Sequence, residues 1–136
     1  MFTVADVMRS PVISIKTTAT VIDAMHLMRQ KGVSSVLVTP TSKGGRYGIM
    51  TQRDIVSKVV TKGKDPKNLR VRQVMSSPLS TVPPDCSLRE AAHLMVKRNI
   101  RRVLVAEGGK IIGIVSDTDI FAAVEERGWE PYFKER

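Results

Sequence analysis

The chain has 136 residues, a length that suits one compact domain or two small repeats sharing a core. A formal net charge of +9 indicates attraction to anions such as nucleotides, nucleic acid or an acidic partner. There is no run of about 18 apolar residues and no signal-peptide pattern, so we predict no membrane span and a cytoplasmic location. The single cysteine, Cys86, excludes an internal disulfide and a cysteine-rich metal site.

A stretch at the start of the chain returns in its second half. Val4 to Pro11 (VADVMRSP) matches Val71 to Pro78 (VRQVMSSP) without a gap. In the same register, residues 24–28 align with 91–95 and residues 36–38 with 103–105. The match predicts a tandem duplication. The predicted parts are domain 1 (1–62), a basic linker (63–69), domain 2 (70–125) and an aromatic C-terminal tail (126–136).

Each repeat predicts the same order of elements. In the first they are a helical turn over 4–8, a strand over 12–15, a helix from Thr20 to Gly32, strands over 33–39 and 46–50, and a helix from 51 to 59. The second has its first strand over 79–82, a helix from Ser87 to Asn99 and a last helix from 116 to 124. Neither repeat is long enough to bury its sheet face alone. We therefore predict an α/β fold of the α+β type, with two β-α-β-β-α repeats packed sheet to sheet about a pseudo-twofold axis.

Two segments outside these elements have alternative interpretations. The basic segment between the repeats contains a single acid, Asp65, and five cations, Lys62, Lys64, Lys67, Arg70 and Arg72. We predict a solvated linker, with nucleic-acid contact as the alternative. The tail contains three aromatic residues, Trp129, Tyr132 and Phe133. They predict either packing over a domain or dimer surface or docking to a separate effector.

The most informative motif is a glycine, a hydroxyl three residues later and an aspartate three residues after that. It occurs as Gly48-Thr51-Asp54 and again as Gly113-Ser116-Asp119. The hydroxyl-to-acid spacing is that of a capping box, although Glu or Gln is commoner than Asp at the second position. A functional alternative is that the helix start faces a phosphate while the carboxylate accepts the hydroxyls of a ribose. Two copies with the same short acid favour the second interpretation.

The duplicated strand-helix-strand-strand-helix unit, with these motifs and the Met8–Pro11 and Met75–Pro78 stretches, resembles the CBS domain, named after cystathionine β-synthase. Two such domains in tandem form a Bateman module, and the resemblance covers residues 3–125. It implies a regulatory protein that binds AMP, ADP, ATP or sometimes S-adenosylmethionine in clefts between two domains. It also implies homodimerisation and signalling to an unidentified effector protein.

The resemblance implies two sets of nucleotide-binding residues, each combining the acid of one domain with the first strand and a phosphate-facing pair of the other. The main set is Thr51, Asp54, Ile49, Leu79, Ser80, Ile100, Arg101 and Arg102. The second set is Ser116, Asp119, Ile114, Val12, Ile13, Val33, Ser34 and Ser35. Two guanidinium groups suit the main set to phosphate, so we expect one strong site and one weak or empty site.

No combination of nucleophile, base and orienting group is visible, and neither is a glycine-rich loop followed by lysine. We therefore predict a binding protein rather than an enzyme, with no catalytic residues, no metal site and no cofactor beyond the nucleotide ligand. The alternatives are a nucleic-acid-binding protein that uses the basic surface, or a sensor of S-adenosylmethionine.

Overall fold

Both repeats build a three-stranded sheet from runs of β-branched residues, which fit a pleated and largely buried surface. The computed structural model describes residues 2–77 and 79–128. The aromatics predicted to pack or dock, Trp129, Tyr132 and Phe133, lie outside this described part. The first sheet consists of β1 (Ser14–Lys16), β2 (Ser35–Thr39) and β3 (Gly48–Thr51). Strand β2 is central, parallel to β1 and antiparallel to β3.

In the first repeat the elements follow the chain order α1-β1-α2-β2-β3-α3, with helices α1 (Val4–Val7), α2 (Val21–Lys31) and α3 (Gln52–Ile55), of which α2 and α3 accompany the first sheet. A π-helical turn, Val56–Val60, continues α3, so the predicted helix from 51 to 59 changes its hydrogen-bonding pattern midway. Two 3₁₀ turns follow, Pro66–Asn68 and Val71–Gln73.

The second sheet repeats the first with β4 (Thr81–Val82), β5 (Arg102–Glu107) and β6 (Lys110–Ser116). Again the middle strand is parallel to the first and antiparallel to the third. Its helices are α4 (Leu88–Arg98) and α5 (Asp117–Arg127). The predicted α/β fold and element order are thus confirmed, while the pseudo-twofold packing stays a prediction.

The predicted ends of the long helices are confirmed. Thr20 caps α2 and Ser87 caps α4, each accepting a hydrogen bond from the backbone N–H three residues later. Gly32 and Asn99 end these helices in the left-handed conformation, with φ of 64° and 53°. The first strands begin two residues later than predicted, β1 at Ser14 and β4 at Thr81; β4 ends at Val82 as predicted, before Pro83, which lacks an N–H.

The two compact units do not coincide with the two repeats. Unit 1 comprises Met1–Val12 and Ser80–Arg136, and unit 2 comprises Ile13–Leu79. The first residues of each repeat, which we call the leading segments (3–9 and 70–76), therefore pack with the other repeat. In each unit, the sheet and the long helices come from one repeat, and the leading segment comes from the other.

Equivalent contacts hold the two leading segments. The Val4 N–H donates to the Cys86 carbonyl at 2.9 Å, and the Val71 N–H donates to the Ala19 carbonyl at 2.8 Å. Both valines are completely buried, Val4 in the core of unit 1 and Val71 in that of unit 2. Burial of a valine stabilises a fold by about 1.5–3 kcal/mol, so the exchanged segments contribute substantially to both cores.

Each leading segment also forms an antiparallel bridge to the last strand of its unit. Arg9 exchanges backbone hydrogen bonds with Ile114 at 2.9 and 3.1 Å, and Ser76 does so with Ile49 at 2.9 and 2.8 Å. The bridges place Met8 against Gly113 and Met75 against Gly48. The motif glycines thus provide room for the leading segments.

We predict that Gly48→Ala lowers the free energy of unfolding by about 1–3 kcal/mol, because overpacking a tight contact has a cost of this size. The added Cβ would lie 2.6 Å from Met75 Sδ and 2.9 Å from the Ser76 carbonyl oxygen, and the carbonyl belongs to the backbone bridge. Urea unfolding measures the effect.

Gly113→Ala is the matched control, since its Cβ would meet the Met8 side chain rather than a backbone atom. A smaller loss of stability is expected there because a methionine side chain can adjust. An equal or larger loss in Gly113→Ala would contradict this account of the two glycines.

Cys86 is a buried member of the unit 1 core, as a small apolar residue would be. Burial, followed by the nearby Glu90 carboxylate, raises the pKa of its thiol from 9.0 to about 11. Its Sγ donates a hydrogen bond to Glu90 Oε2 at 3.7 Å. The thiol therefore stays protonated at neutral pH, and the thiolate is the nucleophilic form.

We predict that Cys86 in the native protein reacts at least about tenfold more slowly with a disulfide reagent near pH 8 than in the urea-unfolded chain. Unfolding free energy should be unaffected by this thiol below pH 9.0 and should fall from there towards pH 11, because the unfolded thiol ionises first. Cys86→Ala, compared by urea titration over the same pH range, isolates this contribution. Equal reaction rates in the two states would contradict the raised pKa.

Candidate functional site

The two glycine–hydroxyl–aspartate motifs form capping boxes at the starts of α3 and α5. Thr51 Oγ1 accepts from the Asp54 N–H at 3.0 Å, and Asp54 Oδ2 accepts from the Thr51 N–H at 3.0 Å. In the second motif, Ser116 and Asp119 make the same two bonds at 3.1 and 2.9 Å. The capping interpretation of the spacing is therefore confirmed, and each cap uses only one oxygen of its carboxylate.

The other oxygen of Asp119 is held by a cation. Arg9 Nε lies 2.9 Å from Asp119 Oδ1, and 9% of the Asp119 side chain is exposed, against 74% of the Arg9 side chain. A hydrogen bond between two charged groups at this distance is strong. A ligand hydroxyl that approached Asp119 would therefore have to share or displace a short ion pair.

The corresponding oxygen of Asp54 is held more loosely. Lys58 Nζ lies 3.3 Å from Asp54 Oδ1, and the Ser76 hydroxyl lies 3.4 Å from the same oxygen. These distances exceed the usual range for charge-assisted and hydroxyl hydrogen bonds. The Asp54 side chain is 16% exposed. It therefore offers an oriented acceptor, held only weakly by its neighbours, to a hydroxyl from solvent.

Three residues that contact the motif aspartates were not predicted from the sequence: Arg9, Lys58 and Ser76. Arg9 and Ser76 occupy equivalent positions in the two leading segments, five residues after Val4 and Val71. The alignment of the repeats contained this signal, but using it requires knowing that the leading segments are exchanged. Arg9 gives Asp119 a neighbouring cation, although no cation was predicted in the second set.

The predicted phosphate-facing pairs lie beside the capped helix starts of their own units. Ser35 is the β-sheet partner of Thr51, and the Ser34 carbonyl accepts from the Gln52 N–H at 2.9 Å. In unit 1, Arg102 is the partner of Ser116, and the Arg101 carbonyl accepts from the Asp117 N–H at 2.9 Å. Arg101 is exposed and Arg102 half-buried.

Each predicted set draws on both units. In the main set, Ile49, Thr51, Asp54 and Leu79 belong to unit 2, and Ser80, Ile100, Arg101 and Arg102 to unit 1. In the second set, Val12, Ile114, Ser116 and Asp119 belong to unit 1, and Ile13, Val33, Ser34 and Ser35 to unit 2. The union of each whole set around one ligand stays a prediction.

The apolar residues predicted to contact the base are all half-buried; they are Val12, Ile13, Val33, Ile49, Leu79, Ile100 and Ile114. Ser80 is half-buried as well, and its hydroxyl accepts from Arg98 Nη1 at 3.0 Å. Ile13 and Val33 pack against the core of unit 2 and Ile100 against that of unit 1, so packing accounts for their partial burial.

Within the described residues, no group of three or more His, Cys, Asp or Glu side chains is positioned to hold a metal ion. None of the described helices has the length and apolar character needed to cross a membrane.

Comparisons with known proteins agree with the fold. Residues 4–61 and 71–126 each match the CBS domain family. An uncharacterised protein of Methanopyrus kandleri is 40% identical over 130 residues, which are 95% of this chain and 63% of that protein. The chain thus spans less than two thirds of the length of this relative.

Two solved structures extend the likeness to three dimensions. The hexameric CBS-CP12 protein from bloom-forming cyanobacteria has a TM-score of 0.86 and 32% identity, covering all of this chain and 76% of the other. A Burkholderia ambifaria protein with CBS domains and a proposed role in signal transduction has a TM-score of 0.83 and 30% identity, covering 99% and 100%. CBS-domain proteins are generally regulatory and ligand-binding. The two matched segments, the shared fold and the similarity in sequence show that this chain belongs to the CBS domain family, with two domains in tandem.

Proposed function

We propose that this chain is a regulatory module that binds an adenine nucleotide, AMP, ADP or ATP, and passes its liganded state to a separate partner protein. The observation that carries the proposal is the Asp54 carboxylate. One of its oxygens is fixed by the helix cap, and the other is oriented but only weakly engaged. A carboxylate fixed in this way suits the hydroxyls of a ribose, because its orientation is set before the ligand arrives.

The arginine pair supports a phosphorylated ligand. Arg101 and Arg102 belong with Asp54 in the main predicted set, and guanidinium groups bind phosphate oxygens in a bidentate manner. S-adenosylmethionine would present the same ribose but a positively charged sulfonium. Two arginines disfavour that cation, so the nucleotide is preferred to the methionine derivative.

Regulation requires that the ligand bind one conformation of the protein better than another. The proposed ligand contacts residues from both repeats, so its binding would change the equilibrium between arrangements of the two domains.

Self-association is a second part of the proposed function. Val56 and Phe121 occupy equivalent positions, each two residues after the motif aspartate, and are 54% and 74% exposed. The cyanobacterial CBS-CP12 neighbour is described as hexameric, which supports assembly in chains of this fold. We propose that these helical surfaces pair in a homodimer.

We predict that Asp54→Asn weakens AMP binding by at least about tenfold, or about 1.4 kcal/mol, when titrated calorimetrically. Asparagine can still accept the Thr51 N–H bond, so stability should change little, whereas Asp54→Ala should lose about 1 kcal/mol with the cap. Asp119→Asn is the matched control and should affect AMP less, because Arg9 already occupies Asp119 Oδ1.

Arg101→Ala should weaken ATP more than adenosine in the same titrations, since only ATP offers phosphates to the guanidinium group. The nucleotide proposal is wrong if the unmodified protein binds no adenine nucleotide. It is also wrong if Asp54→Asn binds AMP as the unmodified protein does.

We predict that Val56→Asp combined with Phe121→Asp reduces the molar mass measured by light scattering after gel filtration from that of a dimer to that of a monomer. A charge at an apolar interface is strongly unfavourable when it is unpaired. Val96→Asp, at an 82% exposed position on α4, is the control and should leave the dimer intact. A monomeric unmodified protein, or a double variant that remains dimeric, would rule out this surface.

A further inference from the structure

The two units differ completely in charge although their folds match. Unit 2 contains twelve Lys and Arg residues and three Asp residues, whereas unit 1 contains ten basic and ten acidic residues. The whole formal charge of +9 therefore belongs to unit 2, and unit 1 is neutral. A duplicated fold does not require such a partition, so the excess needs an explanation of its own.

The positive charge of unit 2 is largely exposed, and most of it has no ion-pair partner among the residues that the structure describes. Eleven of its twelve cations are exposed, and only Lys58 is half-buried. Among the described residues of unit 2, Lys58 also makes the one ion pair, with Asp54. The other acids accept backbone hydrogen bonds: Asp23 from the Thr20 N–H at 3.3 Å and Asp65 from the Lys67 N–H at 2.9 Å.

The hydrogen-bonded stretch of residues 69–72 brings two of these cations close to a third. Residues 69–72 lie beside residues 17–21, where the Arg72 N–H donates to the Thr17 carbonyl at 3.2 Å. Arg70 Nη1 donates to the Thr18 carbonyl at 3.0 Å. Lys16 ends β1 directly before Thr17. The cations predicted to be solvated are exposed, and the hydrogen bonds of residues 69–72 hold Arg70 and Arg72 close to the end of β1.

The loop between β2 and β3 leaves the same end of the sheet, because β1 and β2 are parallel and Lys16 is paired with Thr39. The loop, residues 40–47, carries Lys43, Arg46 and the 48% exposed Tyr47. We call Lys16, Lys43, Arg46, Arg70 and Arg72 the basic face. The capped start of α3, with Thr51 and Asp54, lies at the opposite end of β3.

We propose that the basic face binds the phosphodiester backbone of nucleic acid without reading its sequence. Arginine, lysine and hydroxyl side chains make most contacts to phosphate, and Thr18 and Ser42 add exposed hydroxyls here. Tyr47 supplies an exposed ring on which one base can stack. This binding is independent of the proposed nucleotide site.

The composition of the face favours nucleic acid over a membrane surface. A membrane-binding surface combines cations with several exposed apolar side chains. In unit 2 the exposed large apolar residues other than Tyr47 are Val56 and Val60, in the π-helical turn after α3 and outside the basic face. When the two repeats are aligned, Lys16, Arg70 and Arg72 correspond to Pro83, Thr3 and Ala5, which are uncharged and belong to unit 1.

The test is fluorescence anisotropy of the full chain with a labelled single-stranded RNA and a DNA duplex, each of about 20 nucleotides per strand, between about 50 and 200 mM salt. Affinity should fall steeply with salt and differ little between sequences. Lys16→Glu combined with Arg72→Glu should weaken binding at least about tenfold. It should also reduce the slope of log affinity against log salt concentration by about two, because two phosphate contacts are lost. Lys97→Glu combined with Lys110→Glu makes the same charge change at exposed positions of unit 1 and should have a much smaller effect.

Circular dichroism and the thermal midpoint of both double variants verify that they are folded, and AMP titration shows whether the nucleotide site is unchanged. The proposal is overturned if the unmodified chain does not bind either nucleic acid at the lowest salt, or if the two double variants lose affinity equally. It is also overturned if polyglutamate or vesicles of anionic lipid bind as tightly as nucleic acid under the same conditions.

Discussion

Both units depend on a segment that the other repeat supplies. Val4 is completely buried among unit 1 residues such as Leu88 and Val103, and Val71 is equally buried among unit 2 residues such as Val21 and Val36. Without its exchanged valine, each core would contain a cavity, which costs more than the lost burial alone. The sheet and helices of one repeat are therefore incomplete as a folding unit. The cores require the whole chain from the first leading segment to the last helix.

The same exchange determines the surroundings of the two motif aspartates. Because the leading segments bridge to β6 and β3, Arg9 reaches Asp119 and Ser76 reaches Asp54. Capping fixes one oxygen of each carboxylate, so the position of the second oxygen is fixed as well. The difference between the two aspartates then follows from two positions of the repeat, where Ser76 replaces Arg9 and Lys58 replaces Ala123. Arg9 makes a short ion pair with Asp119, whereas Ser76 and Lys58 engage Asp54 only at longer distances.

The sequence predicted the parts of the fold that depend on local chemistry. Thr20 and Gly32 bound α2 as expected, because a hydroxyl satisfies free N–H groups and glycine adopts the left-handed conformation. The exchange of leading segments could not be predicted, since Val4 and Val71 have the same side chain and suit either core. Arg9 was missed for the same reason, whereas Lys58 follows Asp54 at the i,i+4 spacing of helical ion pairs and was open to prediction. The strand limits were predicted less well, because pairing with a neighbouring strand determines where a strand begins.

The charge of unit 2 has a thermodynamic consequence for the whole surface. Repulsion among exposed cations destabilises a compact unit and is only partly screened, over about 10 Å at an ionic strength of about 0.1 M. The neutral unit 1 has the same fold, with an equivalent valine core and equivalent helix caps. These features, and not the surface charge, therefore specify the structure. A bound polyanion would remove part of the repulsion in addition to making its own contacts. The polyanion affinity proposed for the basic face would therefore have the same physical origin as the charge excess, which unit 1, with ten basic and ten acidic residues, does not have.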